Sequence, residues 1–332
     1  MLKTKILNAK IKQDLLSAVS LIKAGQLVAV PTETVYGLAA DAKNVDAVKK
    51  IFIAKNRPSN HPLIVHIASF EKLSEWAKDI PTITKVLAEN FWPGPLTLVL
   101  NKIESVDDII TGGLETIAIR VPKNHALLKI LNILDTGLAA PSANLYKKIS
   151  PTTPEHVMVG LSGKIAAILD SGPCKIGIES TILDLTKPTP KILRHGPITK
   201  KMLEDVLKFP IDAPEKHSEK ISGNMRNHYQ PSTQSLLMSL EQIQKIVSLP
   251  ENSKILFGIM HQSDFEDIYK NVVRKKMPLD KLDYTSLMYS TLHYLDKIDA
   301  NKILIECPPN EDIWKDVLDR LTKATTEKSD TE

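Results

Sequence analysis

Residues 30–67 read VPTETVYGLAADAKNVDAVKKIFIAKNRPSNHPLIVHI, and in them two apolar runs enclose a dense set of polar side chains. The runs at 26–31 and 62–67 are typical of buried strands. The polar groups at their ends and between them are Thr32, Thr34, Tyr36, Lys55, Arg57, His61 and His66. Because binding sites often form on loops that strands hold in place, the stretch predicts a polar site built on a sheet.

Length and composition suggest an ordinary globular protein of two domains. The chain has 332 residues, and about 150 residues per domain is usual. Lys and Arg number 43 against 39 Asp and Glu, giving a net charge of +4. A mildly basic chain favours phosphorylated ligands or RNA, although a lysine-rich solvated surface gives the same sum.

Cysteine usage indicates a reducing compartment, and hydropathy predicts neither a signal peptide nor a membrane span. Cys174 and Cys307 lie in no metal-binding or redox spacing, so we expect two buried, inert thiols and no disulfide framework. The N-terminus lacks the apolar run of a signal peptide, and no segment is apolar and long enough to span a bilayer. We therefore expect a cytoplasmic protein without a membrane segment.

Hydrophobic periodicity predicts a mixed α/β fold, because strands alternate with helices but several strands also follow one another directly. The predicted helices before residue 208 are 14–24, 45–54, 71–78, 82–91, 125–134, 154–159 and 199–207. The predicted strands are 27–30, 62–67, 96–100, 116–121, 138–140, 166–169, 180–185 and 191–193.

A change in composition divides the chain. Residues 208–235 are rich in prolines and charges and predict a linker between a first domain, 1–207, and a small α/β domain, 236–323. In that second domain we expect strands at 254–259 and 302–306, and helices at 236–247, 284–295 and 312–321. The polar tail, 324–332, is expected to be disordered.

Several polar residues interrupt apolar strands or follow them. Lys55 and Arg57 lie two apart at a helix end, where they could point together into a cleft and neutralise phosphates, or equally complement the helix dipole in solvent. Arg120 lies within the apolar run TIAIRVP, so it needs a partner, either a ligand carboxylate or an internal acid. His66 in PLIVHI is by itself more typical of a core histidine.

Common phosphate-binding and hydrolase motifs are absent from the sequence, including the P-loop, G-x-G-x-x-G, H-E-x-x-H and G-x-S-x-G. A nucleotide would therefore be bound by dispersed cations and hydroxyls.

Taken together, the segments resemble the YrdC-domain threonylcarbamoyl-AMP synthases, in their long two-domain form. The hallmarks, in family order across roughly 200 residues, are PTETVYGL (31–38), KNRP (55–58), HPLIVH (61–66), WPGPLT (92–97), IAIRVP (117–122), APSAN (140–144), IEST (178–181) and RHG (194–196). HYQP (228–231) in the linker is similar to the family's His-Tyr-Ala-Pro, whereas SGNMRN (222–227) departs from the frequent Ser-Pro-Gly-Met form.

The resemblance implies a YrdC-like twisted mixed sheet with flanking helices, followed by a small Rossmann-like domain. It also implies an enzyme that joins L-threonine, bicarbonate or CO2, and ATP into threonylcarbamoyl-AMP and pyrophosphate. Mg²⁺ would accompany the phosphates, without an identified protein ligand. The product would feed threonylcarbamoyladenosine formation next to the anticodon of tRNA, through a separate transferase and with possible tRNA contact.

The family's site residues carry over position by position. The KxR and SxN motifs fall on residues implied to be catalytic and to bind the nucleotide: Lys55, Arg57, Ser142 and Asn144. The rest of the ATP site would be His61, Thr116, Ser150, Arg194 and Tyr229. L-Threonine would be held by Thr34, His66, Arg120, Ala140 and Ser180. Thr32 and Tyr36 would support these groups.

Two other functions are compatible with such a chain. One is a double-stranded RNA-binding or tRNA-binding module without turnover, which salt-sensitive RNA binding would reveal. The other is a carbamoyl-phosphate-using carbamoyltransferase of the hydrogenase-maturation type. Proteins of that type carry zinc-finger segments, and two cysteines are too few for them.

Overall fold

The structure is a computed structural model that describes residues 3–214, 221, 228–265 and 270–325. The chain divides into two compact units. One comprises Met1–Tyr146 with Pro151–Asn224, and the other comprises Lys147–Ser150 with Met225–Glu332. The segment 147–150 thus belongs to the second unit, although the sequence places it inside the first domain. The SGNMRN segment and the predicted tail beyond Thr325 lie outside the described residues.

The first unit is built on one eleven-stranded mixed sheet in the order β1-β9-β2-β3-β8-β4-β7-β6-β10-β11, with β5 paired to β6. The strands are β1 (Lys5–Asn8), β2 (Val28–Val30), β3 (Gly37–Asp41), β4 (Ile64–His66), β5 (Ala77–Lys78), β6 (Leu96–Lys102), β7 (Thr116–Arg120), β8 (Leu138–Ala139), β9 (Ala167–Asp170), β10 (Thr181–Asp184) and β11 (Lys191–Arg194). Parallel pairs such as β4 with β7 alternate with antiparallel pairs such as β6 with β7. The predicted mixed sheet is confirmed.

Seven α-helices flank this sheet in the described part of the first unit: α1 (Lys12–Lys23), α2 (Val45–Lys55), α3 (Ile83–Phe91), α4 (Asp108–Thr111), α5 (His125–Leu134), α6 (Pro154–Leu161) and α7 (Lys200–Leu207). The predicted helix at 71–78 is wrong, since the chain forms a 3₁₀ helix at Phe70–Glu75 followed by β5. Buried Leu73 and Trp76 explain the apolar spacing there.

Strand alternation gives the sheet two different faces. Along β4, β6 and β7, residues such as Val65, Leu98 and Ile119 enter the main hydrophobic core. On the opposite face, α1 and α5 pack over β2, β8 and β9 in a second core cluster. Over β4, β7, β6 and β10 that same face carries buried polar residues and a cavity of about 240 Å³.

The second unit contains a four-stranded parallel sheet in the order β12-β15-β13-β14. Its strands and helices are β12 (Ser235–Met238), α8 (Leu240–Ser248), β13 (Phe257–His261), β14 (Val272–Lys276), α9 (Lys281–Lys297), β15 (Lys302–Glu306) and α10 (Lys315–Ala324). Short 3₁₀ helices lie at Pro250–Asn252 and Asp312–Trp314. The predicted helix at 236–247 is wrong at its start, where β12 precedes a helix capped by Ser239 and Gln242.

Two remaining expectations concern the thiols and the membrane. Cys174 is buried, and burial raises the pKa of its thiol to about 12, so it stays protonated at neutral pH. The prediction that both cysteines are buried is wrong for Cys307, which is exposed on the second unit. None of the helices in the described ranges has the length and apolar character needed to cross a bilayer.

Candidate active site

Neighbouring strands bring a row of polar side chains together at one end of the sheet face that faces away from the main core. His66 on β4 is the register partner of Arg120 on β7. Thr97 on β6 lies next to the pair formed by Leu98 and Ile119, and its hydroxyl is 2.7 Å from that of Ser180, just before β10. Three of the residues assigned to threonine therefore lie at the same end of this face: His66 on β4, Arg120 on β7 and Ser180 just before β10.

Arg120 is buried and held from three sides. Its Nε donates to the carbonyl of Gly94 at 3.1 Å, and its Nη1 donates to Thr34 Oγ1 at 3.0 Å. Its Nη2 lies 2.7 Å from Glu33 Oε1, with both side chains at most 5% exposed. The internal acid that the sequence left open as a partner is thus Glu33. Since a guanidinium carries five N–H donors, this pairing leaves donors for a ligand carboxylate.

Thr32 organises the turn that presents Thr34. Its Oγ1 donates to the carbonyl of Val35 at 2.6 Å and accepts the backbone N–H groups of Thr34 and Val35 at 3.0 and 3.1 Å. Its oxygen also lies 2.8 Å from Thr34 Oγ1. Tyr36, fully buried, accepts from the N–H of Ser171 and donates to the carbonyl of Gly172. The two residues that the sequence left as support are therefore structural anchors.

His66 lies beside Arg120 as a neutral imidazole. Burial, and then the nearby Arg120 cation, lower the pKa of His66 to about 3. Its Nδ1 is buried and, within the part of the chain that the structure describes, meets no hydrogen-bond partner. A neutral imidazole can offer a donor or an acceptor to a ligand without adding charge.

The IEST segment (178–181) and the RHG segment (194–196) are in close contact. Arg194 donates from Nε to the carbonyl of Ser180 at 3.0 Å and from Nη2 to the Ser180 hydroxyl at 3.1 Å. A side chain at Gly196 would bring its Cβ within 2.4 Å of the backbone N of Thr181, so the close approach of the two segments requires glycine. Arg194 therefore fixes Ser180, a predicted threonine ligand.

Lys55 is placed differently from the cleft-facing cation that the sequence suggested. It ends α2, is only 1% exposed, and donates from Nζ to the carbonyls of Ser142 and Asn144 at 2.5 and 2.6 Å. Burial, and then Arg57, lower the pKa of Lys55 well below its usual value. The solvated-helix-end interpretation is therefore wrong for Lys55, which instead joins the KxR motif to the SxN motif.

Arg57 and His61 meet around an aromatic ring that the sequence did not single out. The Arg57 guanidinium lies 5.8 Å from the centre of the Tyr146 ring, and Arg57 Nη2 donates to the carbonyl of Pro62. The His61 ring packs edge-on against Tyr146 at 5.6 Å. Two predicted nucleotide ligands are thereby brought together on one tyrosine.

The remaining assigned residues of the first unit border the same face. Ala140 donates its N–H to the carbonyl of Ile64, and Ser142 forms a bridge with Gly37. Thr116 lines the cavity, whose floor includes Ile64, Val99 and Ile182. One sheet face thus passes from a polar end through an apolar middle to a rim that contains Thr116 and Asp184.

Ser150 and Tyr229 belong to the second unit. Ser150 is fully buried, and its carbonyl accepts from His293 Nε2 at 3.2 Å. Tyr229 is 1% exposed, and its ring lies 5.7 Å from that of Tyr289. Both assignments to the ATP site stay predictions.

Sequence reasoning missed three residues of this arrangement: Glu33, Thr97 and Tyr146. Glu33 and Thr97 lie inside two of the quoted motifs. The available signal for Glu33 was Arg120, an arginine within an apolar run that needed an acid as its partner. Among the described residues, no three His, Cys, Asp or Glu side chains converge as metal ligands.

Comparisons with known proteins agree with this architecture. Residues 20–196 match the Sua5/YciO/YrdC family model, described as "Telomere recombination", and residues 198–326 match the model for the C-terminal domain of threonylcarbamoyl-AMP synthase. The threonylcarbamoyl-AMP synthase of Pyrococcus abyssi is 36% identical over 93% of each chain. That of Bacillus subtilis is 38% identical over 92% of this chain and 91% of its own.

A solved structure extends the likeness to three dimensions. The crystal structure of P. abyssi Sua5 complexed with L-threonine superimposes with a TM-score of 0.89 at 35% identity, covering 97% of both chains. With both family models, full-length relatives and this fold in agreement, the chain belongs to the threonylcarbamoyl-AMP synthase family, whose members are enzymes of the nucleotidyltransferase type.

Proposed function

We propose that this chain converts L-threonine, bicarbonate or CO2, and ATP into threonylcarbamoyl-AMP and pyrophosphate. The observation that carries the proposal is the buried Arg120, with Thr34 and His66, on the sheet face that also bears the cavity. An amino-acid carboxylate and a nucleotide can lie on that one face, at its polar end and its apolar part respectively. Family membership supplies the reaction.

At the polar end, Arg120 is proposed to pair with the threonine carboxylate through the N–H donors that Gly94, Thr34 and Glu33 leave. Charge-assisted pairing of this kind is strong where water is excluded. Thr34, His66, Ala140 and Ser180 are proposed to complete the pocket. Ala140 supplies a small wall, since its Cβ lies near where a side chain on Gly37 would project.

At the other end, the nucleotide base is proposed to lie over the apolar cavity floor beside Thr116. Arg57 and His61 at this end, and Arg194 beside Ser180, are proposed to meet the phosphates. Lys55, Ser142 and Asn144 are proposed to act as one unit, because Lys55 holds the carbonyls of both partners. Ser150 and Tyr229, in the second unit, are proposed as nucleotide ligands on the family resemblance alone.

The reaction depends mainly on holding the reactants in position. The amine of threonine attacks CO2 and releases a proton, giving a carbamate. A carbamate oxygen then attacks the α-phosphorus of ATP, and the bond to the bridging oxygen breaks as pyrophosphate leaves. Fixed cations and hydroxyls accelerate such a transfer by holding the reactants and neutralising charge. Mg²⁺ is proposed to arrive with ATP and to neutralise phosphate charge.

The product is proposed to pass to a separate transferase that forms threonylcarbamoyladenosine in tRNA, with a possible tRNA contact by this chain. Since that tRNA chemistry takes place in the cytoplasm, we propose a cytoplasmic location. Direct contact with tRNA would appear as binding that weakens steeply with salt.

One experiment tests the proposed activity. The protein is incubated with ATP, Mg²⁺, bicarbonate and L-threonine, and the threonylcarbamoyl adenylate is sought by mass spectrometry while pyrophosphate is measured. The expected result is an adduct that carries label from ¹³C-bicarbonate and disappears without threonine. No adduct, with or without a partner transferase, would refute the proposed function, and RNA binding without ATP turnover would favour the RNA-binding alternative.

A further inference from the structure

A chain of hydroxyl groups leads from Arg120 into the turn at residues 32–35. Arg120 Nη1 lies 3.0 Å from Thr34 Oγ1, which lies 2.8 Å from Thr32 Oγ1, which lies 2.6 Å from the carbonyl oxygen of Val35. Thr34 and Thr32 are 1% and 4% exposed, so bulk water competes little for these contacts. The protons in this chain can be assigned from chemistry.

The direction of each hydrogen bond is fixed by its two ends. A carbonyl oxygen only accepts hydrogen bonds, so Thr32 donates its single hydroxyl proton to the carbonyl of Val35. Thr34 then supplies the proton between the two hydroxyl oxygens, so one lone pair of Thr32 Oγ1 accepts it and the other is shared by the backbone N–H groups at 3.0 and 3.1 Å. A guanidinium only donates, so Thr34 also accepts from Arg120. Of the two lone pairs on Thr34 Oγ1, one is therefore used and one remains, and no proton remains.

We propose that Thr32 is a positioning residue that makes Thr34 an obligate hydrogen-bond acceptor, so that the site takes a donor group of its ligand next to the carboxylate on Arg120. This rests on the proposed function. L-Threonine carries two donors close to its carboxylate, the amine and the β-hydroxyl. A carboxylate oxygen placed against Thr34 would meet a lone pair, so the arrangement also selects the orientation of the amino acid.

The backbone supports this role. The N–H groups of Thr34 and Val35 both point at Thr32 Oγ1, which holds that oxygen in one place. Without it, the Thr34 hydroxyl could rotate and offer its proton to the ligand instead. Thr32 thus acts on the ligand through Thr34 and the turn at residues 32–35.

The test is calorimetric binding of L-threonine and of L-2-aminobutyrate, which lacks the β-hydroxyl, to the full chain and its variants. Thr32→Val should weaken L-threonine binding about tenfold or more, because a buried hydrogen bond to the ligand is lost or reversed. Thr32→Ser, which keeps the hydroxyl, should restore it to within about threefold. The affinity for ATP should stay within about twofold in both, whereas general damage to the fold would weaken both substrates.

Thr84→Val is the matched control, since Thr84 is a fully buried threonine on α3 whose hydroxyl has no partner within the described ranges. It should leave threonine binding unchanged. If the β-hydroxyl is the donor, Thr32→Val should hardly affect L-2-aminobutyrate; if the amine is the donor, both ligands should weaken alike. Either pattern supports the proposal.

Two results would overturn it: L-threonine binding to Thr32→Val within about twofold of the unaltered chain, or Thr32→Ser as weak as Thr32→Val. Failure of the unaltered chain to bind L-threonine at all is a different outcome, which would overturn the proposed function together with this inference.

Discussion

Replacing Glu33 by glutamine should expose how much the first unit depends on the buried pair between Glu33 and Arg120. The two side chains are 5% and 4% exposed, and Oε1 lies 2.7 Å from Nη2. Glutamine keeps the shape and one carbonyl oxygen but removes the negative charge. The Arg120 cation then keeps only neutral partners, Gly94 and Thr34, in a place where water cannot solvate it.

The size of the effect follows from those contacts. Removing one partner of a buried ion pair costs about 3–5 kcal/mol when the other charge is left uncompensated. The amide oxygen can still lie against Nη2, and the difference between charged and neutral hydrogen bonds is roughly 1–2 kcal/mol. We therefore expect a loss of about 3 kcal/mol in the free energy of unfolding of the first unit. With roughly 5–15 kcal/mol usual for a domain, the variant should still fold.

The assay is urea unfolding together with amide hydrogen exchange in β2 and β7, which reports on the first unit alone. Saturating L-threonine should raise the free energy of unfolding of Glu33→Gln more than that of the unaltered chain, because the carboxylate of the ligand then supplies the missing anion. Glu89→Gln is the control, since Glu89 faces Lys85 at 3.9 Å with both side chains more than 60% exposed. It should change stability by less than about 0.5 kcal/mol.

An unfolding free energy for Glu33→Gln within about 0.5 kcal/mol of the unaltered value would refute the reasoning, since the pair would then contribute nothing beyond its shape. Equal stabilisation of both proteins by L-threonine would refute the second part, that the ligand and Glu33 both compensate the charge of Arg120.

Three further predictions follow. Arg120→Ala should abolish threonine-dependent pyrophosphate release, and near-normal threonine affinity in calorimetry would contradict its assignment. Lys55→Met removes the donor to two buried carbonyls, so it should destabilise the first unit by roughly 2–5 kcal/mol and weaken ATP binding. Lys49→Met, on the same helix α2 but with a side chain that is 57% exposed beside Asp46, should do neither in urea and ATP titrations. Because the pKa of His66 is lowered to about 3, the unfolded chain binds its proton first, so stability falls as pH drops from about 6.5 towards 3. Relative to His66→Gln, the unaltered chain should lose about 1.4 kcal/mol per pH unit in that window, and parallel pH profiles of unfolding would contradict the burial of a neutral imidazole.

The sequence predicted the elements in which pattern and burial coincide. The helix at 125–134 and the strand at 302–306 appear with the predicted bounds, since their apolar periods match the faces that they bury. It did not predict β3, because GLAAD has no β-branched residue and the strand depends on pairing with β2 and β8. Nor did it predict β12, whose run SLLM joins the apolar residues of α8; the Ser239 and Gln242 capping box marks the boundary.

For the site, motifs predicted which residues matter but not what they contact. Lys55 and Arg57 looked like a pair, yet α2 includes Lys55, and Asn56 follows in a left-handed conformation with φ of 53°, so the two cations have different partners. The internal partner of Arg120 lies 87 positions away along the chain, in the turn before β3. Such contacts depend on strand order, which local periodicity does not contain.

The division of one sheet face into a polar end, an apolar middle and a far rim also sets a length. Arg120 and Thr116 stand on the same strand, four residues apart, and a strand rises about 3.3 Å per residue, so roughly 13 Å separates the carboxylate anchor from the cavity rim. The backbone hydrogen bonds of β4, β6 and β7 hold that spacing. The sheet therefore fixes the distance over which the amino acid, its carbamate and the nucleotide must be joined. A reactant of the wrong length would keep its reactive atoms too far apart even when both of its ends are bound.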